Sequence, residues 1–259
     1  MTQITLGDLS ARYELSGAAN GPVAVFSNSL GTNLRMWDAQ ETALGGQFRI
    51  LRYDTRGHGE TAVTPGPYSV EQLGRDVLRL LDALNLERVH FCGLSLGGMI
   101  GMWLGVNAPE RLHSLVLANT AARIGTVEGW NARIERIREV GLAAAAPSIL
   151  ERWLTPEFRA RAPEPCQSLE RMLVATPTEG YLACCAALRD VDLREAIAAI
   201  RLPTLVIGGT RDVATQPADT HAVAERIPGA RYAEFDTAHL SNIEAAAEFN
   251  AEILRFWTI

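Results

Sequence analysis

The sequence predicts an α/β protein: a mostly parallel, twisted sheet flanked by helices, with a helical segment inserted after the sixth strand. Three observations carry that prediction. From residue 22 onward, short apolar runs alternate with amphipathic stretches, the pattern of successive βαβ units. Between residues 120 and 200 the alternation stops, and alanine runs with scattered prolines replace the strand-like runs. The chain has 259 residues, 47% hydrophobic and 21% charged, which suits one large globular domain with an insertion and excludes a disordered or disulfide-scaffold chain.

Taken in order, residues 4–6 and 11–15 alternate apolar and polar side chains as an antiparallel entry hairpin does. Strands are then expected at 22–27 (PVAVFS), 48–53 (FRILRY), 88–92 (RVHFC), 112–118 (LHSLVLA), 203–208 (PTLVIG) and 231–235 (RYAEF). Between 69 and 84, Val70, Leu73, Val77, Leu80, Leu81 and Leu84 follow the helical period, and Ser69 with Gln72 supplies a capping box. Residues 91–108 carry no charge, close to the minimum for a membrane span, and Gly97, Gly101 and Gly105 repeat as in a membrane dimer motif. So many glycines disfavour an isolated helix, however. The stretch reads instead as a buried strand, a glycine turn and a helix lying close on a sheet. Residues 248–257 close the chain as a final helix. The helical insert reads as a cap over the carboxyl edge of the sheet, where open α/β sheets bind ligands. The division is a core of 1–119 and 201–259 with a cap of 120–200.

Composition removes several function classes. All 24 basic residues are arginine, so Schiff-base chemistry and a P-loop have no lysine to use. A net charge of −6 argues against a nucleic-acid binder. Cys92, Cys166, Cys184 and Cys185 form no C-x-x-C pair and no zinc spacing. They read as reduced thiols, and with no signal-peptide pattern at the N-terminus the expected compartment is the cytoplasm.

The chemistry centres on Gly93-Leu94-Ser95-Leu96-Gly97, a G-x-S-x-G between a strand and an apolar helix. In that context the serine sits on a strained strand-to-helix turn, and the glycines leave room where side chains would collide. The following helix aims its amino end at a developing oxyanion. A serine nucleophile needs a base. His90 and His113 lie in strands and His221 on a polar helix face, whereas His58 sits in the loop DTRGHG, ahead of the serine. His239, after the last strand, is the candidate base. The order Ser…Asp…His then calls for an acid between them, and Asp212 directly after a strand fits, able to accept the imidazole N–H. Of its rivals, Asp219 is expected to cap a helix, and Asp236 is too near His239 in sequence.

The ordered set FSNSLGTN, DTRGHGET, GLSLGGMIG, GGTRD and AHLSNIE resembles the α/β-hydrolase fold over nearly the whole chain. Within that fold, NSLGT, DTRGHG and the cap stretch GYLACCAALRDVDL are similar to the 3-oxoadipate enol-lactonases of aromatic-compound degradation, although related esterases and perhydrolases share DTRGHG. Asn28-Ser29 stands where the commoner hydrolase pattern has a His-Gly pair. The resemblance implies an oxyanion hole from the backbone N–H groups of Leu30 and Leu96. It also implies hydrolysis of a small lactone bearing a carboxylate, through an acyl-enzyme, with neither metal nor cofactor; the acidic balance and the glycine-rich stretch already leave no nucleic-acid or membrane partner expected.

Some cationic or hydrogen-bonding group should then face the pocket. Trp130 and Arg133, three apart on one helix face, are the candidates, against the alternative of a solvated helix with a core tryptophan. Ser95 excludes a dehalogenase with an aspartate nucleophile. A carboxylesterase, a perhydrolase or a carbon–carbon bond hydrolase would use the same triad, and a receptor without turnover would use the same scaffold.

Overall fold

Runs rich in valine, isoleucine, leucine and phenylalanine form the strands of one eight-stranded sheet, because such side chains pack well on a pleated surface buried on both faces. The computed structural model describes residues 2–258. The chain enters through β1 (Thr2–Leu6) and β2 (Leu9–Gly17), continues through β3 (Val23–Ser27), α1 (Asp38–Leu44), β4 (Arg49–Tyr53) and α2 (Val70–Ala83), and reaches β5 (Val89–Leu94) and α3 (Leu96–Asn107). After β6 (Leu112–Ala118) come four helices: α4 (Val127–Trp153), α5 (Pro156–Arg161), α6 (Pro163–Ala175) and α7 (Thr178–Asp190). The sheet resumes with β7 (Thr204–Gly209), α8 (Pro217–Arg226) and β8 (Arg231–Phe235), and the chain closes with α9 (Ser241–Glu244) and α10 (Ala246–Trp257).

The strand order is β1-β2-β4-β3-β5-β6-β7-β8. The entry hairpin and its junction with β4 are antiparallel, and every pairing from β4 through β8 is parallel. This is the predicted class. The chain steps outward from β3 to β4 and then crosses back to β5 on the other side of β3. The switch point therefore lies between the carboxyl ends of β3 and β5, where open α/β sheets form their ligand crevice.

Side chains alternate across the sheet and divide its two faces. Phe26 of β3 packs on Trp37 and on Trp257 of α10, and His90 of β5 approaches the same tryptophan. Phe91 and Leu117 face the other way, so close to α3 that a Cβ on Gly101 would meet their side chains at 3.0 and 3.1 Å. The uncharged stretch is thus the buried strand and helix expected of it. Among the described residues, no helix is long and apolar enough to cross a membrane.

Several boundaries differ from the sequence reading, β1 and β2 running longer than expected and α10 starting at Ala246, and two strand ends do so for one reason. β5 runs on to Leu94 and β7 to Gly209, because glycines that signal a turn still keep ladder positions there, Gly93 opposite Leu117 and Gly209 opposite Phe235. Helix α2 starts as expected: Ser69 is its N-cap, with Oγ accepting the Gln72 N–H at 3.1 Å.

The helical stretch between β6 and β7 is not a simple bundle. Its long helix α4 bends at Gly141, where φ is +75°, a conformation that only glycine adopts freely. Among the contacts that fasten this stretch to the sheet side, three are close to the site. The backbones of Gly57 and Gly180 meet so closely that a Cβ on Gly180 would lie 2.1 Å from the Gly57 carbonyl. The Leu240 N–H donates to the Trp153 carbonyl at 3.0 Å. The buried Glu244 carboxylate accepts from the Thr155 hydroxyl and from the Ala238 N–H.

Candidate active site

Ser95 follows β5 directly, with φ +59° and ψ −112°, a backbone conformation that L-residues seldom adopt. The surrounding contacts impose it. A Cβ on Gly93 would lie 2.1 Å from the Gly97 carbonyl oxygen, and one on Gly97 would lie 2.2 Å from that of Ser27. Helix α3 begins at the next residue, so the first N–H groups of the helix are left without intrahelical acceptors. Gly97 N–H finds the Asn28 carbonyl at 3.0 Å, whereas among the described residues the Leu96 N–H has no acceptor.

The loop after β3 brings a second such donor. The Asn28 side chain is fixed on both sides, donating to the Tyr53 carbonyl at 2.8 Å and accepting from the Trp37 indole N–H at 3.0 Å. Its own carbonyl holds Gly97, so the loop is tied to the serine turn. The Gly31 N–H donates to His58 Nε2 at 3.0 Å. The Leu30 N–H between these anchors has no acceptor among the described residues. Leu30 and Ser95 line the same cavity, which measures about 640 Å³.

His239 lies on that cavity too, in the turn before α9. Its Nδ1 donates to Asp212 Oδ2 at 2.8 Å, and both side chains are buried. That bond leaves Nε2 as the imidazole's basic nitrogen. Asp212 follows β7 and is heavily hydrogen-bonded. Oδ1 accepts the Ala214 and Thr215 N–H groups at 2.7 and 3.0 Å, and Oδ2 also accepts from the Thr215 hydroxyl at 2.8 Å and Asn119 Nδ2 at 3.1 Å. Burial pushes its pKa up, but the His239 charge and these hydrogen bonds outweigh burial and hold it below the ordinary carboxylate value. Asn119 is itself oriented by the Ser241 hydroxyl. No hydrogen bond joins the Ser95 hydroxyl to His239 in this structure.

Much of the remaining lining comes from the bent helix α4. Trp130 and Arg133 both line the cavity, but they do different things. Trp130 is buried and its indole N–H donates to the Ile124 carbonyl at 2.6 Å, so it offers substrate an apolar ring. Arg133 is half-buried; its guanidinium stands 5.5 Å from the Trp130 ring and 5.6 Å from that of Tyr181, and its Nε donates to the Tyr181 hydroxyl at 2.9 Å. Arg136 and Arg152, which the sequence reading passed over, line the same cavity. Arg136 could have been found from its helical spacing to Arg133, whereas the Gly141 bend hides Arg152 from any periodicity. Desolvation and then the neighbouring Arg133 charge lower the Arg152 pKa. Among the described residues, none of these three arginines forms an ion pair.

The other residues weighed from sequence fall elsewhere. His58 is fully buried beneath the loop after β3. His90 bonds the Ser114 hydroxyl at 2.8 Å, and His113 and His221 are exposed. Asp236 pairs at the surface with Arg211. Asp219 corrects an expectation: it does not cap α8. Gln216 holds the N-cap position and Pro217 starts the helix, as its fixed φ favours, which leaves Asp219 inside the first turn. Among the described residues, no group of three or more His, Cys, Asp or Glu side chains converges as a metal site does.

Comparison with known proteins gives a consistent picture. Residues 22–246 match the family model described as the alpha/beta hydrolase fold. The chain is 40% identical over 247 residues to 3-oxoadipate enol-lactonase 2 of Acinetobacter baylyi, covering 95% of this chain and 92% of that one. It is 42% identical over 236 residues to 3-oxoadipate enol-lactonase 1 of the same organism, covering 91% and 88%. The crystal structure of the enol-lactonase from Burkholderia xenovorans LB400 superposes with a TM-score of 0.98 at 42% identity, covering all of both chains.

Proposed function

The chain belongs to the alpha/beta hydrolase family, and from that premise we propose that it hydrolyses 3-oxoadipate enol-lactone to 3-oxoadipate through an acyl-enzyme on Ser95. The observation that supports this most is the composition of the cavity. Ser95 and His239 line it together with Arg133, Arg136 and Arg152, none of which forms an ion pair among the described residues. A site so charged favours an anionic ligand, and a lactone carrying a free carboxylate can meet the serine and an arginine at once.

Ser95 Oγ attacks the ring carbonyl while His239 Nε2 takes its proton, and Asp212 stabilises the imidazolium that forms. The tetrahedral oxyanion is received by the Leu30 and Leu96 N–H groups, assisted by the amino end of α3. Collapse breaks the ring carbon–oxygen bond. The leaving oxygen is an enol that takes the proton back from His239, stays attached through the acyl chain and becomes a ketone. A water deprotonated by His239 then attacks the acyl carbonyl; collapse breaks its bond to Ser95 Oγ, which takes the proton back from the imidazolium, and 3-oxoadipate leaves. In this division the core, 1–119 and 201–259, carries the chemistry, and the cap, 120–200, carries substrate choice. Four free thiols suit a reducing compartment, so the cytoplasm is the place we assign to the reaction.

The cap arginine gives the direct test. Arg133 is held in place by Tyr181 and Trp130, so it meets a carboxylate with little loss of side-chain freedom. Arg133→Met lowers kcat/KM for the carboxylate-bearing lactone by roughly 1–3 kcal/mol, about 5- to 150-fold, the value of a charged hydrogen bond. Neutral p-nitrophenyl acetate is spared. Equal losses on both substrates would mean that Arg133 supports the fold, and no loss on either would remove it from recognition.

A further inference from the structure

We propose that His58 is a positioning residue for the oxyanion hole: its Nε2 holds the Gly31 N–H and thereby fixes the loop that presents the Leu30 N–H beside Ser95. This inference rests on the reading of Ser95 as nucleophile and assigns work to a buried histidine outside the triad.

The hydrogen bonds fix the tautomer. Nε2 lies 3.0 Å from the Gly31 nitrogen, which can only donate, so Nε2 carries no proton. Nδ1 lies 3.3 Å from the Arg56 carbonyl, which can only accept, so Nδ1 carries it. Cys184 Sγ stands 4.0 Å from Nδ1, and the Tyr181 ring lies 6.5 Å away between centroids. Among the described residues no charged side chain bonds the imidazole. Burial lowers its pKa to about 4, which keeps it neutral, with Nε2 free to accept, around neutral pH.

The turn that carries His58 is itself immobilised. Its N–H donates to Thr55 and its carbonyl accepts from Thr61, at 2.8 and 3.0 Å. Arg56 beside it is fully buried and grips Asp76 through two bonds of 2.7 Å. The receiving loop has no slack either. Gly31 adopts φ +81°, and a Cβ there would lie 2.7 Å from Leu173 Cδ1 and 3.1 Å from Tyr181 Cε2. The peptides on either side of Leu30 share one Cα, so pinning the Gly31 N–H to a rigid turn restricts rotation of the Leu30 N–H. Misdirecting one of two oxyanion donors weakens transition-state binding while leaving ground-state binding nearly untouched.

The experiment compares His58→Leu and His58→Met, which fill the space without a comparable acceptor, with His58→Gln, whose amide oxygen reaches the position of Nε2. With p-nitrophenyl acetate, the leucine and methionine variants lose about 10- to 100-fold in kcat, with KM nearly unchanged, somewhat less than outright removal of an oxyanion donor. Glutamine restores most of that loss. The affinity of a trifluoromethyl ketone, whose adduct with Ser95 places an oxyanion in the hole, falls in step with kcat/KM and returns with glutamine. Equal losses in all three variants, or a loss confined to thermal stability, would overturn the proposal. Histidine-labelled wild-type enzyme adds a readout independent of the variants' folding. Nitrogen NMR should show His58 protonated on Nδ1 alone, with its Nε2 resonance moving when the ketone adduct forms. Protonation on Nε2, or an unmoved resonance, would overturn it as well. An enzyme that forms the ketone adduct but ignores the enol-lactone would contradict the substrate assignment and leave this inference standing.

Discussion

Replacing Ser95 with alanine lowers turnover by about 10⁴- to 10⁶-fold, the cost of removing a nucleophile from a triad, while the protein stays folded. The fold has little stake in this side chain. Among the described residues its hydroxyl makes no hydrogen bond, and the turn is enforced by Gly93 and Gly97 rather than by the serine. Circular dichroism and the melting temperature should therefore be close to those of the parent, with kinetics carrying the whole effect. The double variant Ser95→Ala with His239→Ala should be little slower than either single one, because residues that act as a unit do not add. Multiplicative losses would mean that serine and histidine act in separate steps.

Asp212→Asn is the second large effect, and it differs in kind. Turnover falls about 10⁴-fold, the loss seen when a triad aspartate becomes an amide, and stability falls too. Asp212 accepts five hydrogen bonds, two on Oδ1 and three on Oδ2. An asparagine cannot satisfy both sets. With its amide nitrogen toward His239 it meets the imidazole and Asn119 donors; flipped, it meets the Ala214 and Thr215 N–H groups. Either way buried donors face each other, at about 1–3 kcal/mol for each unsatisfied group. Acid acts on the same group. Its native pKa lies below the ordinary value, so its contribution to stability is present above the unfolded carboxylate range and is lost as pH falls through the native one. A folded variant with near-parental turnover would move the acid role to another residue.

How much of this was legible in the sequence follows from how local each signal is. The serine turn is written in a few consecutive residues, a strand, G-x-S-x-G and an apolar helix, and the local geometry has that form. His239 and Asp212 could be placed because each comes just after a strand whose carboxyl end must open on the crevice. Asn119 could not, since its bond to Asp212 joins residues 93 apart and exists only once β6 and β7 lie side by side. Arg152 was hidden by the bend at Gly141, and His58 by a partner that is a backbone N–H across the crevice. Strand ends ran long where glycine, read as a turn, kept its place in the ladder.

The most direct measurement is of substrate and product together. Wild-type enzyme is given 3-oxoadipate enol-lactone, and loss of the lactone is followed beside appearance of 3-oxoadipate, with p-nitrophenyl acetate as the neutral ester. The expected result is stoichiometric conversion, abolished in Ser95→Ala, with kcat/KM well above that for the acetate. Brisk acetate hydrolysis with the lactone left intact would contradict the account.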